Sequence, residues 1–432
     1  MKTIKIPKIA SRQGIGFIGT IGSGKTQGMM QLFDSYINSK KVIVDVKGDY
    51  TSIYQKAEDK IFCPLDQRTI KWNIFNDIET YEDIANVALS LIPENPKVQD
   101  PYFDNAARAV LSGILIGLSK TYKPNNKLLW ETISSPDAIF EIMKIDEESK
   151  QKMHTYLGED ASDKRVGSII SSISAMAGRA IEAISDLDGD FSFKKWANNI
   201  NDKSSVFLIA DPKYLDILLP TYKTIIEIIS SEILSMPDNE HRADGEQNEI
   251  FFWLDEFPRF RKLQKIVDLM TLGRSKGGKV VWAAQTDKQL EKEYGKEGAI
   301  EILDSTNTLF IYRTTVAKDF EEYLGKQEVL EYSENRSFGP HPYRDGGTYG
   351  KQKKTKPLVL SSNIQTLKDL EFYLRTMGSD TTKAKLLRID RKPIHQKFIP
   401  NIKKIQKSSN FNKNLVKLTP ADDEKIDFEE FL

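Results

Sequence analysis

The chain has 432 residues, enough for two or three domains with a sizeable core. Lys+Arg and Asp+Glu both number 62, so the net charge is zero and any nucleic-acid contact must come from a local patch. The single Cys63 excludes an internal disulfide, and the scattered His154, His241, His341 and His395 lack zinc-ligand spacing.

The first predicted element is a short buried strand, "GIGFIGT", which runs into "GTIGSGKT" at 19–26. Gly19, Gly24, Lys25 and Thr26 fit the phosphate-cradle pattern G-x-x-x-x-G-K-[ST]. In such a loop the backbone amides turn inward on phosphate, here along Gly19, Thr20, Ile21, Gly22, Ser23, Gly24 and on to Gln27. Lys25 reaches the β- and γ-oxygens, and the Thr26 hydroxyl ligates Mg²⁺. The segment after it reads as a helix with Met29, Met30, Leu32, Phe33 and Ile37 on its apolar side. Strand, Gly-rich turn and helix aim a helix N-terminus at an anion, which weighs against a chance Gly-rich turn.

A second strand, "KKVIVDV", covers 40–46. Asp45, Lys47 and Asp49 follow it and are read either as nucleotide neighbours or as a solvated turn. Between 78 and 195 the strand rhythm stops. There Phe103, Ala106, Ala107, Val110, Leu111 and Ile114 recur at helical spacing, as do Val166, Ile169, Ile170, Ile173, Ala177 and Ile184. The reading is an α/β domain begun at 1–77, an all-helical insertion at 78–195, and the rest of the α/β domain at 196–400. Trp72 and Trp196 are expected to pack the junction of the two. The longest apolar run, 109–118, is too short to span a bilayer, and no signal peptide is read ahead of the first strand.

Further strands are predicted at 204–210, 249–257, 279–285 and 307–313. Their near-continuous apolar character suits a mainly parallel sheet covered by helices on both faces. A sharp acidic signal follows: "IFFWLDEFPRF" ends an apolar strand on Asp255-Glu256. With a phosphate cradle elsewhere in the chain, Asp255 is placed to hold the water shell of Mg²⁺ and Glu256 to activate water. A strand capped by an acidic turn is the plainer alternative. Gln285, at the end of the next strand, is read as a γ-phosphate sensor or a polar strand cap. Arg274 stands in "LGRSKGG" just before that strand, and a guanidinium there is expected to act on a neighbouring subunit's nucleotide. Arg313 is either a second sensor or one half of an ion pair.

Residues 331–357 are polar and rich in Gly and Pro and are read as a long loop. Basic residues interleaved with tyrosines suit phosphate tracking and base stacking. The candidate DNA contacts are Arg336, Arg344, Lys351, Lys353 and Lys354 there, with Lys276 and Lys279 beside Arg274. A solvated charge run is the alternative. The tail, 401–432, is Lys-rich and then acidic, and is read as disordered with occasional docking to a basic partner.

Taken in order, "GTIGSGKT", "VIVDVKGDY", "CPLDQRTIKWNIFND", "FDNAARAVL", "FLIADPKY", "LDEFPRF", "GRSKGG" and "LSSNIQTLKDLEFYL" resemble the type IV coupling proteins. These are conjugative ATPases of the TraD/TraG kind within the FtsK–HerA superfamily of DNA translocases. The resemblance covers roughly residues 14 to 400. It implies a RecA-like P-loop domain with an all-helical domain inserted after the second strand. It also implies ATP and Mg²⁺ as cofactors and DNA as substrate, with a relaxase and a secretion channel as partners. The active form would be a homo-hexameric ring at the cytoplasmic face of a bacterial inner membrane. Family members usually carry N-terminal transmembrane helices. Either this sequence is cut from a longer protein or it belongs to a membrane-free branch. Val46 stands where the family often has Pro and puts no catalytic residue in doubt. Two other functions stay open: a nucleotide-gated recruitment platform without efficient hydrolysis, and a chromosome-type pump for double-stranded DNA.

Overall fold

Runs rich in Val, Ile, Phe and Trp become the inner strands of one nine-stranded sheet, where both faces are buried and little room is left for polar residues. The computed structural model describes residues 14–94, 101–158, 164–239, 248–337 and 346–401, with 334–337 and 346–349 described in backbone alone. In chain order β1 (Gly14–Ile18) leads to α1 (Lys25–Ser35), β2 (Lys40–Asp45), α2 (Asp49–Tyr54) and the short β3 (Lys60–Phe62). A run of helices follows: α3 (Tyr81–Leu91), α4 (Tyr102–Ser119), α5 (Asn126–Ile133), α6 (Pro136–Met143), α7 (Glu147–Tyr156), α8 (Lys164–Ile173), α9 (Arg179–Ile184) and α10 (Phe193–Asn198). Strand and helix then alternate through β4 (Val206–Ile209), α11 (Leu215–Ser235), β5 (Ile250–Leu254), α12 (Gln264–Leu272), β6 (Gly278–Ala284), α13 (Asp287–Asp304), β7 (Thr306–Tyr312) and α14 (Lys318–Leu324). The antiparallel pair β8 (Lys326–Ser337) and β9 (Gly346–Pro357) comes next, followed by α15 (Ser361–Gln365), β10 (Glu371–Thr376) and β11 (Thr382–Lys385).

The sheet order is β11-β10-β7-β1-β6-β5-β2-β4-β3. It is parallel from β7 to β3, and β10 and β11 close one edge antiparallel. The α/β class and the helical interruption therefore agree with the sequence. Two expectations need correction. The helices follow the third strand, not the second, because β3 is only three residues long and carries no periodic signal. Residues 331–357 do not form one long loop: their described parts pair as the β8–β9 ribbon.

The sheet and the helical region are joined around one carboxylate. Asp77 is fully buried and accepts from Trp72 Nε1 (2.6 Å), Ser192 Oγ (2.6 Å), Lys194 N (2.8 Å) and Phe193 N (3.2 Å). The Trp72 ring packs edge-on against Phe62 and Phe193, so it lies between β3 and α10 as expected of a junction residue. Trp196 is likewise buried. α11 packs on α3, α9 and α10 along one side and on α12 along another, tying the helical region to the sheet.

After β11 the chain turns back and crosses the molecule as a strap, residues 386–401. Leu387 O accepts from Gln31 Nε2 (2.7 Å), Arg391 pairs with Asp34 (2.5 Å), and Ile394 N and His395 N donate to Ser52 O. The far end is gripped by Asp66, which is fully buried: it accepts from Ile399 N (2.8 Å) and from Arg68 (2.9 Å), whose guanidinium also reaches Gln396 O. The strap thus runs from the β11 edge of the sheet to the loop beyond β3 at the other edge.

Candidate active site

The strand order decides what meets what. β1, β6, β5 and β2 are consecutive and parallel, so the segments that leave their C-terminal ends line one edge of the sheet. Those segments are the cradle after β1, Gln285 after β6, Asp255-Glu256 after β5 and Lys47 after β2. They border a cleft of about 770 Å³, together with Thr20, Ile21, Gly22, Gly24, Thr26 and Gln27. Open α/β sheets bind ligands in this position, beyond the carboxyl ends of the strands.

α1 begins at the cradle without a side-chain cap and has no acidic residue in its first turn. Its leading amides therefore face the cleft as donors for an anion. Gly22 and Gly24 have φ of +79° and +111°, which L side chains rarely adopt. A Cβ on Gly24 would also strike Leu370 Cδ2 at 2.8 Å, because Leu370 N donates to Ser23 O (2.9 Å) and seats the segment before β10 on the loop. Ser23 is buried and binds Thr20 O through its hydroxyl (2.8 Å). Lys25 Nζ donates to the carbonyls of Gly19 and Thr20 (3.1 Å to the latter). Burial lowers its pKa, opposed by Asp255 and Glu256. The residues present fit a bound nucleoside triphosphate with its divalent cation.

Burial pushes the Asp255 carboxyl up to about 6; Lys47 opposes the rise, while Glu256 and Asp45 add to it. Glu256 occupies the left-handed region, φ +73°, which is uncommon for a non-glycine residue. Phe257 and Phe260 of the turn that follows it are fully buried. Its carboxylate is held by Lys47 (3.0 Å) and Arg259 (3.4 Å). Partial burial works to raise the Glu256 pKa, but those two cations outweigh it and keep it below the usual range.

The fate of the other candidates is varied. Gln285 lines the cleft and its backbone N–H donates to Gln289 (3.0 Å). Gln27 sits at the cleft and also meets the strap through Ile389 N and Arg391. Asp45 is the buried last residue of β2, not a solvated turn: it accepts from Thr51 N and Oγ1 (both 2.7 Å) and from Asp49 N. Arg313 forms the plain ion pair, with Asp369 at 2.9 Å. Arg274 does not join its own site. It precedes β6, whereas the cleft lies at that strand's other end, and seven residues at about 3.3 Å each separate the two by roughly 20 Å.

The DNA contacts proposed beside Arg274 are corrected. Lys279 is buried and pairs with Glu249 (2.6 Å), and Lys276 is engaged by Met236 O (2.6 Å) and Asp238 (3.5 Å). Both are committed within the fold. Arg344 lies outside the described residues, and Arg336 is on β8, where only backbone is described. Lys351, Lys353 and Lys354 stand on β9.

Sequence reasoning missed Arg259, Arg261, Lys292, Asp369 and Arg388 at the cleft. Arg259 lies within the acidic motif and was readable there. Arg388 arrives on the strap, and no local pattern announces it.

The comparisons agree with this geometry. Residues 1–387 match the model of a family described as the type IV secretion-system coupling protein DNA-binding domain. The coupling protein TraD of Escherichia coli (strain K12) is 27% identical over 402 residues, covering 88% of this chain and 53% of TraD. VirD4 of Rhizobium rhizogenes is 20% identical over 385 residues, covering 80% of this chain and 54% of VirD4. The chain thus spans about half the length of these curated relatives. The conjugative coupling protein TrwB, in an unbound form, superposes with a TM-score of 0.77 at 21% identity, covering 91% of this chain and 89% of TrwB. TrwB with ADP and Mg²⁺ superposes with a TM-score of 0.75 at 21% identity over the same shares of the two chains. The α/β sheet with its helical region is therefore a TrwB-like fold, and this chain belongs to the type IV secretion-system coupling protein DNA-binding domain family.

Proposed function

We propose that the chain is the ATP-hydrolysing motor of a coupling protein, which takes relaxase-bound DNA and delivers it to a type IV secretion channel. The active form is a ring of six at the cytoplasmic face of a bacterial inner membrane. Among the described residues no helix is long and apolar enough to cross a membrane. One observation carries the reading: Glu256 is held in the left-handed region at the cleft, on the strand end two places from the phosphate cradle. A recruitment platform has no need of a water-activating carboxylate so constrained.

The chain's own groups divide the work. The amides from Gly19 to Gln27 and the Lys25 ammonium bind and orient the phosphates. Thr26 Oγ1 and the Asp255 carboxylate are the groups that would hold Mg²⁺. Mg²⁺ bound there supplies charge neutralisation on the phosphates. Glu256 orients the attacking water and takes its proton at a carboxylate oxygen; Lys47 and Arg259 fix where that oxygen points. Gln285 reads the terminal phosphate from the end of β6, and Arg274 acts on the site of a neighbouring subunit. The TrwB complexes with ADP and Mg²⁺ and with the non-hydrolysable analogues ADPNP and GDPNP support the cofactor assignment. DNA contact is assigned to Arg336, Lys351, Lys353 and Lys354 of the β8–β9 ribbon, and to Arg344, which lies outside the described residues.

The test is the ATPase rate with and without single- and double-stranded DNA, paired with Glu256→Gln. The variant should bind Mg²⁺·ATP like the parent and lose single-turnover hydrolysis by roughly 10²–10⁴-fold. Parental hydrolysis in that variant removes Glu256 from the mechanism. Absence of hydrolysis by the parent under every condition returns the chain to the platform reading.

A further inference from the structure

The β8–β9 ribbon has twelve residues in each strand, so it runs roughly 40 Å. Its root is packed on α14, and Leu358 N donates to Gly325 O there. Beyond the root the side chains described on it are mostly exposed. A two-stranded ribbon without a core is marginal in water, so its surface composition is unlike that of a folding element.

The cross-strand register sorts the side chains onto two faces. On one, Glu331 stands near Lys354 and Lys356, and its carboxylate pairs with both, at 2.7 Å to Lys354. On that face one carboxylate is shared between two ammonium groups, and no aromatic side chain is described there. On the other, Leu330 is opposite Lys353 and Tyr332 is opposite Lys351. Leu330 is 47% exposed and Tyr332 is 76% exposed. The Lys351 ammonium lies 5.7 Å from the centre of the Tyr332 ring, and Lys353 pairs with Glu328 at 3.5 Å. An exposed ring flanked by ammonium groups is the pairing that binds single strands: the ring stacks on a base and the cation meets the backbone.

We propose that the Leu330–Tyr332–Lys351 face of the ribbon is a binding site for single-stranded nucleic acid, with Tyr332 stacking on a base and Lys351 on a phosphate. This rests on the reading of the chain as a DNA-handling coupling protein. Lys326, Lys351, Lys353, Lys354 and Lys356 outnumber Glu328 and Glu331 among the described side chains of the ribbon, so its charge complements a polyanion. A packing role for Tyr332 would need the ring covered, and it is not.

The test uses the whole chain and a labelled oligothymidine of about twenty nucleotides, longer than one stacking site. Tyr332→Ala should weaken binding on the order of tenfold and leave the salt slope unchanged. Tyr332→Phe keeps the ring and should retain affinity, while Lys351→Ala should lower the salt slope by about one. A duplex of equal length should respond less to Tyr332→Ala, because its bases are already stacked. If the parent binds the oligothymidine and Tyr332→Ala, folded by circular dichroism, binds it equally well, the face assignment fails and the DNA reading stands. If the parent binds neither single strand nor duplex, the DNA reading fails and the face assignment with it. Loss of polyglutamate binding in Tyr332→Ala with DNA binding intact would give the face to an acidic protein instead.

Discussion

Replacing Asp77 with alanine removes the acceptor of four hydrogen bonds at the junction of the sheet and the helical region. The donors left behind are Trp72 Nε1, Ser192 Oγ, Phe193 N and Lys194 N, all around a carboxylate that is fully buried. Hydrogen bonds to a charged group net about 1.5–3 kcal/mol each. Against their sum stands the cost of keeping the carboxylate dry, visible in its pKa, which burial raises despite the Ser192, Lys194, Trp72 and Phe193 bonds. The expected loss is about 3–5 kcal/mol, the range seen when one partner of a buried charged network is deleted. Asp77→Asn should cost less, about 2–3 kcal/mol, because one oxygen remains an acceptor while the amide nitrogen faces donors. Urea unfolding followed by far-ultraviolet circular dichroism and by tryptophan fluorescence reads both variants. A loss below about 1 kcal/mol for Asp77→Ala would mean that the network is ornamental and that apolar packing of Trp72 and Phe193 alone joins the two regions.

Lys25→Ala should abolish Mg²⁺·ATP binding in calorimetry while the urea midpoint stays put, since the lysine's desolvated charge serves phosphate and not the core; retained binding refutes the cradle. Glu227, on α11, has a carboxyl that burial pushes up to about 7, although the Lys265 N–H and the Lys223 charge oppose the rise. A raised folded-state pKa favours the fold while the group is protonated, so this contribution is lost as pH rises from the ordinary glutamate value through about 7. Glu227→Gln should therefore be matched with the parent near pH 5 and more stable by up to about 3 kcal/mol near pH 8; a difference that does not change with pH overturns the assignment. Mixing Lys25→Ala with Arg274→Ala chains should restore part of the ATPase rate, because some interfaces then pair an intact lysine with an intact arginine; co-assembled mixtures that stay inactive exclude action across the interface.

The nucleotide half of the site was legible because its signals are local. The cradle is a short contiguous stretch with Gly19, Gly22 and Gly24 closely followed by Lys25 and Thr26, and Asp255-Glu256 ends a strand whose apolar run is unbroken. The edges were not. β10 and β11 pair antiparallel at a sheet margin where burial is uneven, so neither a continuous apolar run nor a clean alternation marks them. The ribbon has no buried face, so its period of two carries polar residues on both sides and reads as loop. Arg274 is expected to act across a subunit interface, and its place at the opposite end of β6 from the cleft leaves that as its only route to a nucleotide. Lys47 was read as a turn residue as readily as a site residue, because only the adjacency of β2 and β5 brings it to Glu256.

The strap sets a timetable for biosynthesis. Its contact with Gln27 joins residues 362 apart in sequence, and its grip on Asp66 joins residues 333 apart. At roughly 5–20 residues per second, the first of these intervals lasts on the order of 20–70 s of translation. Throughout it the cradle has been made, but the segment that crosses α1 has not. The strap is the last described part of the chain to be synthesised, so the two edges of the sheet are tied together only after every other described element has been made. A nascent or prematurely ended chain would carry its phosphate loop without that tie, and proteases would meet an open sheet edge and an unfastened α1. The same sixteen-residue segment thereby distinguishes molecules whose described fold is fastened from those in which it is still open.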